Sequence, residues 1–203
     1  GYEQAPPVQP MVGGSGTCCC RLRLMTSTPQ SDSDRRGLLL VLSGPSGVGK
    51  TTIGHAVLER FNGVFSVSAT TRQRTKDEVG GVDYFFITEE EFKDWIEQGR
   101  FLEHAQVYDG TWYGTPSGPV DHQLDQDRLV LLDIDVQGAC QVRRSRPECL
   151  SIFLLPPSEE ELHRRLQSRA RESQEQIERR FAKAQKEIQA SEQPGIYLSL
   201  IHI

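Results

Sequence analysis

A glycine-rich octapeptide that directly follows an apolar run constrains this chain more than any other feature. The run covers residues 38–42, and the octapeptide, residues 44–51, fits the pattern G-x-x-x-x-G-K-[ST]. A buried strand, a glycine-rich turn and a helix start in this order are the setting of a phosphate-binding P-loop. Glycines let successive N–H groups point inward, and the helix N-terminus adds positive potential where phosphate would sit. The structural alternative is an ordinary glycine-rich turn.

The P-loop interpretation gives chemical roles to the end of the motif. Lys50 would reach the β- and γ-phosphates of a nucleotide, and Thr51 would place its hydroxyl on Mg²⁺. The residues expected to bind the nucleotide are Gly44, Pro45, Ser46, Gly47, Val48, Gly49, Lys50, Thr51 and Thr52. A nucleoside triphosphate is therefore the first ligand to consider.

Length, charge and cysteine content narrow the class of protein. The chain has 203 residues and a formal net charge of −5, from 23 basic and 28 acidic side chains. Its length allows a sizeable core, and its charge argues against a general nucleic-acid or membrane-surface binder. The five cysteines form no C-x-x-C pair, and no apolar stretch resembles a membrane span or a signal peptide. We expect one cytoplasmic α/β domain with reduced thiols and no nucleic-acid or membrane partner. Oligomeric state is left open.

Residues 1–36 differ in composition from the rest of the chain. Apolar periodicity is weak there and turn-forming residues are frequent, so we predict a disordered N-terminal extension. Met25, just ahead of the domain, is a candidate natural start. The cysteine triplet at residues 18–20 is a candidate for reduced thiols, for lipidation or for upstream translated sequence.

Strand and helix patterns alternate after the P-loop, as a parallel sheet with crossover helices requires. Predicted strands cover residues 65–68, 82–87, 128–135 and 151–155. Predicted helices cover residues 50–61, start at capping residues Thr88 and Ser158, and include a later helix whose apolar face is Ile177, Phe181, Ala184 and Ile188. The aromatic side chains after Thr88 are expected in the core.

Two further patterns suggest a ligand site. The predicted strand over residues 128–135 ends in Asp133 and Asp135, and ligands collect where strands end beside a P-loop. Arginines are concentrated between residues 164 and 180. Such a charge run is either a solvated helix face or, beside a P-loop, a lid that places positive charge over a migrating phosphoryl group.

Six segments together make the chain resemble guanylate kinases over about residues 38–197. The segments are residues 43–51, 66–72, 82–86, 101–105, 113–115 and 133–138. The resemblance implies a P-loop three-layer α/β fold over residues 37–203, with a parallel sheet, an inserted GMP-binding subdomain (about 68–118) and an arginine-bearing helical lid (about 158–190). It also implies transfer of the γ-phosphoryl group of ATP to GMP, and to dGMP, with Mg²⁺, in purine nucleotide metabolism.

The same resemblance assigns roles to individual residues. Arg72, Tyr84 and Tyr113 would bind the GMP phosphate. The residues that would read the guanine base are Ser68, Glu103, Thr115 and Asp135. Guanine presents N1–H and N2–H₂ donors, which a carboxylate matches, although Glu103 without its motif is equally a surface helix-cap acid. The implied catalytic residues are Lys50, Arg72, Arg169 and Arg180, the last two as lid cations that neutralise transition-state charge.

The chain departs from the family pattern at three places. Thr75 stands where the family has a second phosphate-binding arginine, with Arg74 and Lys76 beside it, and Ala170-Arg171 replaces a usual Gly-Thr in the lid. Residues 198–203 end the chain where the family continues through a final strand, an Asn-Asp pair and a last helix. We therefore expect a truncated domain that lacks the final strand and is a poor catalyst.

Two other functions compete with this interpretation. A non-catalytic guanylate-kinase-like module would bind phosphorylated peptides, but such modules typically lose parts of the P-loop, whereas Lys50 and Thr51 are present. A kinase of another small phosphorylated acceptor could share the fold, and the pairing of Glu103 with Asp135 argues for guanine instead.

Overall fold

Two β-sheets organise the part of the chain that the computed structural model describes, which is residues 37–107, 110–168 and 174–203. The elements are β1 (Leu39–Ser43), α1 (Lys50–Phe61), β2 (Val64–Phe65), β3 (Ala69–Thr70), β4 (Phe85–Phe86), α2 (Glu89–Glu97), β5 (Phe101–Gln106), β6 (Trp112–Pro116), α3 (Ser117–Leu124), β7 (Val130–Asp133), α4 (Val136–Ser145), β8 (Leu150–Leu155), α5 (Glu159–Gln167), α6 (Gln174–Ser191) and β9 (Ser199–His202). The predicted N-terminal extension, with Met25 and the cysteine triplet, lies outside the described residues.

The first sheet has five strands in the order β2-β7-β1-β8-β9, and every pairing within it is parallel. Leu39 and Val41 pack with α4 on one face, whereas Leu40 and Leu42 pack with α1 on the other. A parallel strand that is covered on both faces needs a continuous apolar run, which explains the pattern of β1. The predicted three-layer α/β fold is confirmed.

The helix predictions are accurate where local signals are strong. Helix α1 spans Lys50–Phe61, the predicted range. The Thr88 hydroxyl accepts a hydrogen bond from Glu91 N at 3.1 Å, and the Ser158 hydroxyl accepts one from Glu161 N at 3.2 Å. These caps satisfy backbone donors that the first helical turn leaves without a partner. None of the helices in the described segments is long and apolar enough to cross a membrane.

The second sheet has four strands in the order β4-β3-β6-β5. Helix α2 packs on it through Phe92, which is fully buried and stacks on Phe101 with ring centroids 4.4 Å apart. Trp112 of β6 and Trp95 of α2 extend this aromatic cluster, at 5.6 Å from Phe92 and 5.8 Å from Phe101 respectively. Phe92 is a core residue, as the sequence predicts, whereas Trp95 is half-buried at the edge of the cluster.

One side chain joins the second sheet to the first sheet's helices. Gln141 of α4 accepts a hydrogen bond from His104 N at 3.1 Å and donates one to His104 O at 3.0 Å. The amide thus pairs with β5 as a neighbouring strand would, at the edge where the sheet has no further strand.

Two predicted strands are placed wrongly. Only Phe65 of the predicted strand 65–68 lies in a strand, because the chain leaves the first sheet there and joins the second at Ala69. The predicted strand 82–87 shortens to two residues. The Asp83 carboxylate accepts a hydrogen bond from Val79 N at 2.6 Å, and Asp83 N donates to Val79 O at 3.0 Å, so a turn replaces the start of the strand.

The expectation that the final strand is missing is also wrong. Strand β9 pairs in parallel with β8, with Ile152 opposite Ser199 and Leu155 opposite His202. Ile203 N donates to Leu155 O at 3.0 Å, and the Ile203 side chain joins the core cluster of α1. Backbone pairing with a free sheet edge depends little on side-chain identity, which explains why an unfamiliar sequence forms this strand.

Candidate active site

The glycines of the loop between β1 and α1 adopt backbone conformations that other residues rarely accept. Gly44, Gly47 and Gly49 have φ values of +152°, +86° and +113°. A Cβ atom at Gly44 would lie 2.7 Å from Leu154 O, which is closer than a real Cβ comes. The loop therefore needs glycine for its curvature and for its close approach to β8.

Lys50 lies across this loop. Its ammonium donates to Gly44 O at 2.8 Å and lies 4.0 Å from an Asp133 carboxylate oxygen at the end of β7. Burial raises the pKa of Asp133, and the nearby Lys50 charge opposes that rise. Asp133 and Thr51 both line a cavity of about 430 Å³. The cavity therefore lies beside the start of α1 and the end of β7.

Arginines from α5 and α6 contact the loop directly. Arg180 donates to the Ser46 hydroxyl at 2.6 Å, and Arg165 donates to Val48 O at 3.0 Å. Arg169, the other predicted lid cation, lies outside the described residues. Arg165 was not among the predicted site residues, although its position within the arginine run between residues 164 and 180 is a signal that could have identified it.

Glu161 orients two arginines of α5, Arg164 and Arg165. Its carboxylate accepts hydrogen bonds from Arg165 Nε and from Arg164 Nε and Nη2, each at 2.7 Å. The hydrogen bonds from Arg164 and Arg165 lower the pKa of Glu161 to about 2. The carboxylate is therefore charged at neutral pH, and it directs the Arg165 guanidinium towards the glycine-rich loop.

The three residues predicted to bind a phosphate lie together on the second sheet and its loops. The Arg72 guanidinium carbon is 5.5 Å from the Tyr84 ring centroid, and the Tyr84 and Tyr113 rings are 6.0 Å apart. Glu78 and Tyr113 both raise the pKa of Arg72 above its usual value. One cation and two hydroxyls are thus close enough to share an anion.

Glu78 is part of this cluster, and sequence reasoning missed it. Its carboxylate receives two hydrogen bonds from Arg72, at 2.6 and 3.0 Å, and two from Thr75. Thr75 therefore faces Glu78, while Arg74 and Lys76 are exposed. An acidic residue six positions after a phosphate-binding arginine carries no general signal, because the contact depends on how the loop folds back.

The predicted base-reading residues form a second cluster. Glu103, 8% exposed, accepts a hydrogen bond from the Thr115 hydroxyl at 2.6 Å. Burial raises the pKa of Glu103, and the charge of Asp135 raises it further, whereas the Thr115 hydrogen bond lowers it. Asp135 is also the N-cap of α4 and accepts from Gly138 N at 2.9 Å. Ser68 and Thr115 line the same cavity as Thr51 and Asp133.

Comparison with known proteins identifies the family. A family model described as guanylate kinase matches residues 36–201. The chain belongs to the guanylate kinase family. A guanylate kinase from Paramagnetospirillum magneticum is 53% identical over 162 residues, which cover 79% of this chain and 75% of the relative. One from Trichormus variabilis is 44% identical over 178 residues, covering 87% and 89%.

A solved guanylate kinase structure agrees with this assignment. The crystal structure of guanylate kinase from Anaplasma phagocytophilum has a TM-score of 0.60 and 36% sequence identity, and the match covers 83% of this chain and 77% of that one. The guanylate kinase family is a family of nucleotide kinases. The structure turns Thr75, where the sequence departs from the expected pattern, towards Glu78.

Proposed function

We propose that this chain transfers the γ-phosphoryl group of ATP to GMP, producing ADP and GDP. One observation carries the proposal: a single cavity is lined by Thr51 and Asp133 from the P-loop side and by Ser68, Tyr84 and Thr115 from the second sheet. A donor phosphate and an acceptor nucleotide would therefore meet in one cleft. Phosphoryl transfer depends mainly on such positioning and on electrostatic stabilisation.

The cations around the P-loop support the donor half of the proposal. Lys50 and Arg180 each contact the loop, so their charges lie where the β- and γ-phosphates of ATP would be bound. In the transition state charge spreads over the transferred group, and fixed cations stabilise it more than water does. We assign Lys50 and Arg180 this electrostatic role, and we keep Arg169 as a predicted third cation.

The residues at the cleft fit a magnesium ion. Mg²⁺ prefers oxygen ligands, and it is held in P-loop proteins by a hydroxyl and a carboxylate together with phosphate oxygens. Thr51 and Asp133 offer this pair of groups at the same cavity. When bound, the ion would neutralise negative charge on the ATP phosphates, and Thr51 and Asp133 would hold it.

The second sheet supports the acceptor half. Arg72, Tyr84 and Tyr113 would bind the GMP phosphate. Glu103 would accept hydrogen bonds from the guanine N1–H and N2–H₂ donors, with Asp135 beside it and with the Ser68 hydroxyl available to the O6 acceptor. The Thr115 hydroxyl, which donates to Glu103, would hold that carboxylate in place. Adenine lacks the donor pair that Glu103 matches, so the site favours GMP over AMP.

The domain assignments extend this proposal. We propose that the second sheet is the GMP-binding insertion, about residues 68–118, and that α5 and α6 belong to a lid over about residues 158–190. A cytoplasmic location and the absence of nucleic-acid and membrane partners stay predictions from composition and charge. Nothing in the described segments or in the comparisons favours the phosphopeptide-binding alternative.

A coupled assay of ADP release tests the function, with GMP, dGMP, AMP, CMP and UMP as acceptors. We expect turnover with GMP and dGMP and little with the others. Lys50→Ala should reduce turnover by about 10²- to 10³-fold, because it removes a transition-state cation. Lys93→Ala is the matched control, since Lys93 is an exposed lysine that pairs with Glu89 in its own helix α2. Absence of GMP-dependent turnover, or full activity in Lys50→Ala, would contradict the proposal.

A further inference from the structure

The loop between β3 and β4 contains an ion pair to which the proposed roles assign no purpose. Arg72 donates from Nη2 to Glu78 Oε1 at 2.6 Å and from Nη1 to Glu78 Oε2 at 3.0 Å. Arg72 Nη1 also donates to Gln73 O at 2.9 Å. Bidentate pairs between a guanidinium and a carboxylate fix geometry as well as adding energy. Glu78 therefore determines how the Arg72 guanidinium is oriented.

The bonds to Glu78 leave one edge of the guanidinium for other partners. A guanidinium has two edges that can bind an anion with two hydrogen bonds, one formed by both Nη atoms and one formed by Nε and a single Nη. Glu78 occupies the first edge. Both Nη1 hydrogens are used, one by Glu78 and one by Gln73 O, so the second edge is the one left for an anion. The guanidinium carbon lies 5.5 Å from the Tyr84 ring centroid, which places this edge next to the predicted phosphate site.

Thr75 holds Glu78 in this position. Glu78 Oε2 accepts hydrogen bonds from Thr75 N and from the Thr75 hydroxyl, both at 2.8 Å. The hydrogen bonds from Arg72 and Thr75 lower the pKa of Glu78 to about 2, so the carboxylate is ionised at neutral pH. The ion pair and its threonine anchor form one closed unit within a short stretch of the chain.

We propose that Glu78 is a positioning residue for the acceptor phosphate. By occupying the edge formed by the two Nη atoms of Arg72, and by being anchored on Thr75, it leaves the Nε edge available beside Tyr84 and Tyr113. This inference rests on the proposed function, because it takes the acceptor to be GMP. In a chain that has Thr75 in place of a second arginine, the orientation of the single arginine decides how well the phosphate is bound.

A competing arrangement has the opposite consequence. If Glu78 merely occupied the phosphate position, its removal would tighten GMP binding. The contacts argue against that arrangement, because an incoming phosphate that displaced Glu78 would leave the Thr75 N–H and hydroxyl without their acceptor. The sign of the change in GMP affinity therefore separates positioning from competition.

The test measures the dissociation constants of GMP and of guanosine by calorimetry, together with the KM values for GMP and ATP. Glu78→Gln should weaken GMP binding and raise the KM for GMP by about 10-fold, the scale of one charged hydrogen bond. Guanosine affinity, the KM for ATP and kcat should change less than about twofold, since guanosine carries no phosphate. Thr75→Val, which removes one donor to Glu78, should cause a smaller loss in the same direction.

The matched control is Asp121→Asn. Asp121 accepts two hydrogen bonds from Arg146 Nη2, at 2.7 and 2.8 Å on its two carboxylate oxygens, in a cavity that shares no residue with the cleft. The Asp121→Asn variant should leave GMP binding unchanged. In an Arg72→Ala background, Glu78→Gln should add no further loss of GMP affinity.

Several results would overturn the inference: GMP affinity that is unchanged or tighter in Glu78→Gln, an equal loss for guanosine, an equal loss in Asp121→Asn, or an undiminished loss without Arg72. A chain that binds GMP but does not phosphorylate it would refute the proposed function alone, since the comparison of GMP with guanosine would still decide the role of Glu78. A wild-type chain that binds no GMP would refute both.

Discussion

Replacing Glu103 by glutamine should weaken GMP binding but not the stability of the fold, because the buried charge of Glu103 favours guanine recognition and disfavours folding. Glu103 is 8% exposed, and burial raises its pKa above the ordinary value of 4.5. The folded protein therefore disfavours the ionised carboxylate that guanine recognition requires. Glutamine removes the charge and keeps the shape, so it should weaken GMP binding without weakening the fold.

The loss of GMP affinity can be bracketed from the contact with Thr115. If the introduced glutamine keeps its oxygen on the Thr115 hydroxyl, its NH₂ group opposes the guanine donors. If the amide turns round and donates to Thr115, its oxygen still meets guanine and only the charge is lost. These two arrangements correspond to about 3 and about 1 kcal/mol, or roughly 150-fold and 5-fold in the GMP dissociation constant.

The pH dependence of stability supplies the second half of this prediction. A carboxyl group whose pKa is raised on folding binds its proton more tightly in the folded state, so wild-type stability falls as pH rises from 4.5 through the folded value. Glu103→Gln lacks this titration. Its thermal midpoint should therefore equal or exceed that of the wild type at pH 8, and its advantage should shrink towards pH 5.

Calorimetry with GMP and inosine monophosphate, and thermal unfolding at pH 5 and pH 8, would test these expectations. Inosine monophosphate lacks the exocyclic amino group, so the variant should lose most of the preference for GMP. Glu97→Gln, an exposed carboxylate of α2, is the control. Equal GMP affinity in wild type and variant would remove Glu103 from the base site, and a stability advantage that grew towards pH 5 would refute the electrostatic argument.

Two further substitutions test the framework of the site. Gly44→Ala should lower the free energy of unfolding by about 2 kcal/mol or more, because the φ angle of Gly44 is +152° and the new Cβ would lie 2.7 Å from Leu154 O. Urea unfolding measures this loss, and a loss below about 0.5 kcal/mol would contradict the predicted strain. Phe92→Ala should lower the free energy of unfolding by about 3–5 kcal/mol, because Phe92 is fully buried and stacks on Phe101. Phe61→Ala, at an exposed position, is the control. Equal small losses of stability in the two variants would refute the assignment of Phe92 to the core.

Local signals explain what the sequence predicted well. The bounds of α1 follow from the glycine turn before it, and the caps at Thr88 and Ser158 depend on residues three positions away. The continuous apolar run of β1 identified a strand buried on both faces. Each of these features is determined within a few residues, so sequence alone is sufficient to recognise it.

Tertiary contacts explain what the sequence did not predict. Strand β9 exists because β8 offers an unpaired edge, and Arg165 contacts Val48, which is 117 positions away in the chain. The apolar and aromatic pattern of residues 82–87 resembles a strand, but the Asp83 carboxylate binds the backbone of Val79 and forms a turn. Glu78 was missed for a similar reason, since its pairing with Arg72 appears only once the loop has folded.

The two hydrogen bonds of Gln141 have a mechanical consequence. Both run to the backbone of one residue, His104, while Leu102 of β5 packs in the same core cluster as Ala139 and Val142 of α4. The second sheet and α4 are therefore held together along several residues, which resists rotation as well as separation. Asp135, the N-cap of α4, lies beside Glu103 of β5. A displacement of the second sheet would carry α4 with it and would keep the two base-reading carboxylates together.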